Sequence, residues 1–217
     1  MVVINYVEWL PCAWKSLLIK QLEKNKENVV HELWRVLSKN EFPWNGKNVD
    51  EINAIDRWFI DKESKRYEGV DLSGKNIYFD RSFLTHLAYA YAYSRFMNIP
   101  SLKNTVKSYE NALNDGKLIV PDTIINISIS SEISIQRQEE KMNINPSKAL
   151  PFFWRDKKFL DDLFYAYSKL YESYDWRLID IDGRLATEEK LEQVMNLSNV
   201  FSWGSDLDLE AYLSKIL

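Results

Sequence analysis

Cysteine is almost missing from this sequence: Cys12 is the single example in 217 residues. One thiol excludes an internal disulfide framework and any multi-cysteine metal site, and only His31 and His86 are available as imidazole ligands. A reducing cytoplasm is the simplest setting. Glycine is scarce too, with six residues at positions 46, 69, 74, 116, 183 and 204, so the opening 45 residues have none. No apolar run approaches the roughly 18 residues read as a membrane span. No basic leader with a small-residue cleavage site opens the chain. The expectation is a soluble, unprocessed protein with no membrane partner. A basic excess is absent as well: the net charge of -4 and pI near 5.4 supply no general field for nucleic acid or anionic lipid.

What is present suits a globular domain. Hydrophobic residues at 46% and charged residues at 28% can build a full core, and eight tryptophans are an unusual excess. Four short β-branched runs read as buried strands: 2–7, 76–80, 123–130 and 176–182. A fifth is read at 28–33. Between them lie helical patterns at 14–26, 48–68, 81–97, 102–114 and 156–174. In the last, Phe159, Leu160, Leu163, Phe164, Tyr167, Leu170, Tyr171 and Tyr174 recur at steps of three and four residues, as one buried face requires. Alternating strand and helix predicts an α/β fold with a mainly parallel sheet and right-handed crossovers. Such sheets bind ligands beyond the carboxyl ends of their strands. Those ends read Val7-Glu8, Asp80-Arg81, Ser130-Ser131 and Asp182-Gly183.

The stretch "VEWLPCAWKS" (7–16) runs from strand to loop to helix and ends in Lys-Ser, the layout of a phosphate-binding loop. On the G-x-x-x-x-G-K-[ST] template, Trp9 and Trp14 stand at the two glycines. Left-handed geometry alone costs an ordinary residue roughly 1–2 kcal/mol, which a fold can absorb. An indole in the space meant for a phosphate is the larger obstacle. Lys15 and Ser16 remain, at a helix N-terminus that attracts anions. Farther on, "NIYF" runs into "DRSFLTHLAYAYA" (80–92), placing Asp80 and Arg81 at a strand end. An Asp there can hold Mg²⁺ or accept a substrate proton, and Arg suits phosphate and the charge that develops in phosphoryl transfer. Taken singly, the same residues also read as a helix cap and a surface charge.

Taken in order, "VEWLPCAWKS", "FDRSFLTHLAYA" (79–90), "VPDTIINISISSEISIQRQEEK" (120–141), "FFWRDKKFLDDLFYAYSKLY" (152–171) and "RLIDIDGRLATEEKLEQV" (177–194) resemble the thymidylate kinase-like branch of the P-loop nucleoside and nucleotide kinases. The resemblance implies a three-layer fold with a five-stranded, mainly parallel sheet flanked by helices. It implies a kinase-like domain over 1–196 with a lid near 138–155; the extension at 197–217 lies beyond the resemblance, and its spaced apolar residues read as a short helix. It also implies roles. Lys15 is the phosphate-loop lysine, Ser16 and Asp80 hold Mg²⁺, Asp80 and Arg81 form the acid and arginine of the DR motif, and Arg137 approaches the donor. Arg155 falls on the lid, Arg66 grips an acceptor phosphate together with Arg81, and the loop after Asp182 and Gly183 lies beside the donor base.

Two glycine losses and a lid poor in arginine (138–152) depart from the family pattern. Two functions follow. In the first, Trp9 and Trp14 fill the donor site, and the protein is a degenerate kinase with impaired ATP binding, acting as a binding or regulatory subunit with a second copy or another protein. In the second, it is an active nucleoside or nucleoside monophosphate kinase that uses Mg²⁺ and ATP. A degenerate protein needs neither cofactor.

Overall fold

The structure is a computed structural model, and it describes residues 2–13, 15–33, 43, 45–68, 70, 76–145, 152–173, 177–197 and 207–216. Trp14 and Tyr174 lie outside these residues, as do all of 198–206 and residues 146–151 of the expected lid; of Trp9 and Lys15 only the backbone is described.

The strands are β1 (Ile4–Trp9), β2 (Asn28–Val30), β3 (Ile77–Asp80), β4 (Thr123–Ser128) and β5 (Arg177–Asp182). They form one parallel sheet in the order β2-β3-β1-β4-β5. The fold class read from the sequence is the one found. Parallel strands covered on both faces are largely apolar, and β3 is buried at all four positions, Asp80 at its end included. Because every strand runs the same way, the carboxyl ends of the strands collect along one edge.

The helices are α1 (Lys15–Lys24), α2 (Val49–Tyr67), α3 (Phe83–Met97), α4 (Leu102–Asn114), α5 (Ser131–Ile144), α6 (Lys157–Tyr171), α7 (Thr187–Leu197) and α8 (Leu209–Ile216). Their starts are chemically marked. Asn48, Ser82, Ser130 and Asp156 each accept a backbone N–H from the first turn of α2, α3, α5 and α6, which satisfies a donor the helix cannot pair itself. α1 packs with α7, while α3 packs along α6, α2 against α4, and α8 against α4 and α6. A short 3-10 turn (Phe152–Arg155) precedes α6.

Two sequence-based expectations are corrected in detail. Phe164, placed on the buried stripe of α6, is 51% exposed, and Ala166 takes the inward position. On α2 apolar periodicity puts Ile52, Ile55, Phe59 and Ile60 on one stripe, yet the fully buried residues are Ile52, Asp56 and Glu63. Two carboxylates therefore point inward from this helix, which apolar periodicity cannot reveal.

Candidate functional site

Two residues at neighbouring strand ends define the centre of the site. β3 ends at Asp80, and the next residue, Arg81, adopts a left-handed backbone with φ of 62°. That conformation costs a non-glycine residue roughly 1–2 kcal/mol, so it persists only where the surroundings enforce it. Here the Arg81 N–H donates to the Val7 carbonyl at 3.2 Å, and Ser82 immediately caps α3. The Arg81 guanidinium faces Glu32, two residues beyond β2, with Nε to Oε2 at 3.4 Å. Burial works against the Arg81 charge, but Glu32 first, then Tyr167, Asp80 and Glu8, hold its pKa above the usual value.

Beside this ion pair lies a pocket of about 60 Å³ lined by Glu32, Phe59, Glu63, Arg81, His86 and Tyr109, among others. Its walls come from the strand ends and from α2, α3 and α4. His86 stacks on Phe59 with centroids 4.1 Å apart, and its Nδ1 shares a hydrogen bond with the Tyr109 hydroxyl. Burial lowers the His86 pKa to about 3, so the ring is neutral at physiological pH. A neutral imidazole and a phenol among rings can read a flat heterocycle by stacking and hydrogen bonding. The volume corresponds to about two waters, so an aromatic ligand enters only when these rings move apart.

Arg66 lines the same pocket. Its Nη1 makes two contacts with the Glu63 carboxylate, at 2.8 and 2.7 Å, and its Nη2 approaches the carbonyls of Val30, Asp80 and Arg81 at 3.4, 3.2 and 3.2 Å. With a side chain only 6% exposed, Arg66 is turned into the protein and differs from the open guanidinium expected to grip a phosphate.

Glu8, fully buried in central strand β1, accepts hydrogen bonds from the Ser82 and Thr85 hydroxyls at the start of α3 and from the Tyr167 hydroxyl of α6 at 3.4 Å. Burial raises its pKa to about 7 despite those hydroxyls. The residue thus joins the strand leading into the opening loop, the helix after Arg81, and α6.

The opening loop itself starts later than the motif implied. Trp9 is the last residue of β1, paired with Ile127, so the connection to α1 begins at Leu10 and includes Cys12 with φ of 61°. Two residues of α5 hold this loop: the Ser134 hydroxyl donates to the Pro11 carbonyl at 2.8 Å, and Arg137 Nη1 donates to the Cys12 carbonyl at 3.3 Å. The second Arg137 nitrogen reaches the Gly183 carbonyl at 3.2 Å, which also accepts from the buried Lys190 at 3.0 Å. Arg137 therefore bridges the β1–α1 and β5–α7 turns. Asp182 is bound by Arg184 at 2.6 Å, and its pKa is lowered to about 2 by that side chain. Ser16 is exposed in the first turn of α1, and Arg155 is exposed on the 3-10 turn.

The residues singled out from the sequence thus gather in two places. Asp80, Arg81 and Arg66 meet at the ends of β2 and β3, while Arg137, Asp182 and Gly183 meet beside the opening loop. Glu32, His86 and Tyr109 were not foreseen. The run read as a strand at 28–33 ends at Val30, so Glu32 lies beyond a strand's carboxyl end like the polar residues noted at the other four.

The fold is the one seen in solved nucleoside kinase structures. Solved structures of deoxyadenosine kinase from M. mycoides are similar: with bound dATP, the TM-score is 0.68 at 17% identity over 91% of this chain and 100% of that one. The same enzyme with products dCMP and a flexible dCDP gives 0.65 at 16% over 89% and 96%, and with bound dCTP 0.65 at 16% over 89% and 97%. No protein-family model and no curated protein matches the sequence.

Proposed function

We propose that the protein is a nucleoside kinase that transfers a phosphoryl group from ATP to the hydroxyl of a nucleoside held in the aromatic pocket. The observation that carries this reading is the Glu32–Arg81 pair in the wall of that pocket. A carboxylate there can take the proton of an acceptor hydroxyl, and an arginine beside it can neutralise charge on the transferring phosphoryl group. His86, Tyr109 and Phe59 would hold the base. The likeness to deoxyadenosine kinase structures supports a nucleoside as the acceptor in preference to a nucleoside monophosphate.

Lys15 would reach the donor phosphates from the N-terminus of α1. Ser16, exposed there, and Asp80, buried at a strand end, are the oxygen donors that fit Mg²⁺, which takes few protein ligands and completes its shell with phosphates and water. When bound, the ion neutralises phosphate charge. We place this machinery in residues 1–196 with the lid near 138–155. Arg155, exposed at the end of that stretch, would face the donor when the lid closes.

The test is incubation of the purified chain with Mg-ATP and each deoxynucleoside and ribonucleoside, following the monophosphate by chromatography. Formation of one or more monophosphates is expected, and loss of turnover in Glu32→Gln with nucleoside binding retained. No product with any acceptor would overturn the reading.

A binding or regulatory subunit is the second reading. It is favoured by Arg137, which ties the opening loop to the Gly183 turn across the side where the donor would lie. Titration of Mg-ATP followed by calorimetry separates the two. Binding by the natural chain supports the kinase, whereas binding only by the Trp9→Gly, Trp14→Gly double variant supports a donor site closed by indoles.

A further inference from the structure

We infer that Arg66 is a positioning residue: it crosslinks the ends of β2 and β3 and holds Arg81 in its left-handed turn, so that Arg81 faces Glu32. The effect on turnover rests on the kinase reading above; the effect on geometry does not.

The hydrogen-bond ladder between β2 and β3 runs out at the Val30–Phe79 pair. Beyond it the chains would diverge, yet Glu32 and Arg81 must meet there. Arg66 Nη2 supplies the missing link, since it lies within 3.4 Å of the last β2 carbonyl and within 3.2 Å of the carbonyls of both Asp80 and Arg81. A left-handed residue redirects its own carbonyl away from the line of the strand. At Arg81 that redirected carbonyl is one of the three that Arg66 receives.

The clamp is itself braced. Glu63 grips Nη1 through both carboxylate oxygens, and the Tyr67 hydroxyl lies 3.2 Å from Glu63 and 2.8 Å from the Tyr6 hydroxyl, which bonds the Ile119 carbonyl. A planar fork is needed, because one nitrogen must face a carboxylate while another faces three carbonyls. A lysine offers one point of charge and cannot do both. Burial disfavours the Arg66 charge, but Glu63 more than restores it, so the fork stays charged. Both terminal nitrogens are thus committed to the protein, which leaves neither for an acceptor phosphate.

The experiment is a crystal structure and thermal unfolding curve for Arg66→Met and Arg66→Lys, with steady-state kinetics on the latter. In Arg66→Met, Arg81 is expected to leave positive φ and its separation from Glu32 to exceed the 3.4 Å seen here. If that variant does not fold, Arg66→Lys carries the same readout. Unchanged Arg81 geometry in the variants that fold overturns the inference. In turnover, Arg66→Lys should lower kcat by about 10–100-fold with nucleoside KM nearly unchanged. The same substitution should change kcat by less than about twofold in an Arg81→Lys background, because the two act as a unit. A raised KM with kcat retained would instead mean direct substrate contact and would sink the proposal. An inactive natural chain would defeat the kinase reading and leave the crystallographic outcome to decide this one.

Discussion

The Nε of Arg81 stands 3.4 Å from Oε2 of Glu32, across the gap between two strand ends whose residues lie almost fifty positions apart in sequence. Each side chain is largely shielded from solvent, at 19% and 14% exposure, and both line the pocket, so the pair is poorly screened by water.

If Glu32 takes the acceptor's proton, Glu32→Gln should lower kcat by about 10²–10⁴-fold, the usual worth of a positioned base. Arg81→Ala should cost about 10³-fold or more, as for arginines that meet a transferring phosphoryl group. Steady-state kinetics with the preferred nucleoside checks both, and unfolding temperatures close to the natural chain's confirm that the fold is kept.

Glu8 gives stability a pH dependence of unusual sign. Its folded pKa is raised by burial from 4.5 to about 7, so the folded state binds a proton the unfolded chain has already released. The stabilisation is complete below pH 4.5 and is lost as pH rises through about 7. Asp56, buried and bonded by Thr105 at 2.7 Å, behaves alike, with its pKa raised by burial from 3.8 to about 6. The Glu8 contribution is on the order of 3 kcal/mol, from the shift at about 1.4 kcal/mol per unit. Urea unfolding at pH 5 and pH 8 should show Glu8→Gln with a flatter profile than the natural chain; equal slopes would contradict the assignment.

Gly183 has no room for a side chain. A Cβ there would lie 2.5 Å from Ile129 Cγ2 and 2.8 Å from the Ser128 carbonyl. Gly183→Ala should destabilise by about 1–3 kcal/mol, the usual cost of overpacking. At roughly 2–4 °C per kcal/mol for a chain of this size, Tm falls by several degrees, and differential scanning calorimetry measures it. The displaced carbonyl would also loosen the Arg137 bridge to Cys12, seen as faster amide exchange in residues 10–13.

The α8 helix should be sensitive to loss of bulk and tolerant of loss of polarity. Tyr212 is fully buried where α8 meets α4 and α6, and its hydroxyl has no hydrogen-bond partner among the described residues. Tyr212→Ala should cost about 3–5 kcal/mol by leaving a cavity. Tyr212→Phe should be neutral or stabilising by about 1 kcal/mol, since it removes an unsatisfied buried group. Chemical denaturation of the two variants decides this.

The sheet was legible because parallel strands buried on both faces read as short, largely apolar and β-branched runs, as 76–80 and 123–130 do. The helix starts were legible at 48 and 156, where Asn48 and Asp156 supply the caps, whereas at α3 the cap is Ser82 and not Asp80. The strand-end position of Asp80 and Arg81 was legible, since β3 ends at Asp80 and Arg81 follows it. Glu63 and Asp56 escaped notice because a charge on a helix ordinarily faces water, and only a partner elsewhere makes its burial tolerable. The role of Arg66 escaped for a related reason: an arginine in a charged helix end carries no mark of the carbonyls it will meet.

By itself the sequence determined the order of strands and helices and the side of the sheet on which chemistry collects, since apolar periodicity and turn chemistry act over a few residues. Tertiary structure alone decided that Glu32 faces Arg81, that Arg137 spans two turns, and that Arg66 points inward. Each of these is a contact between segments remote in the chain, set by how the strand ends and helices pack together, and no local pattern encodes it.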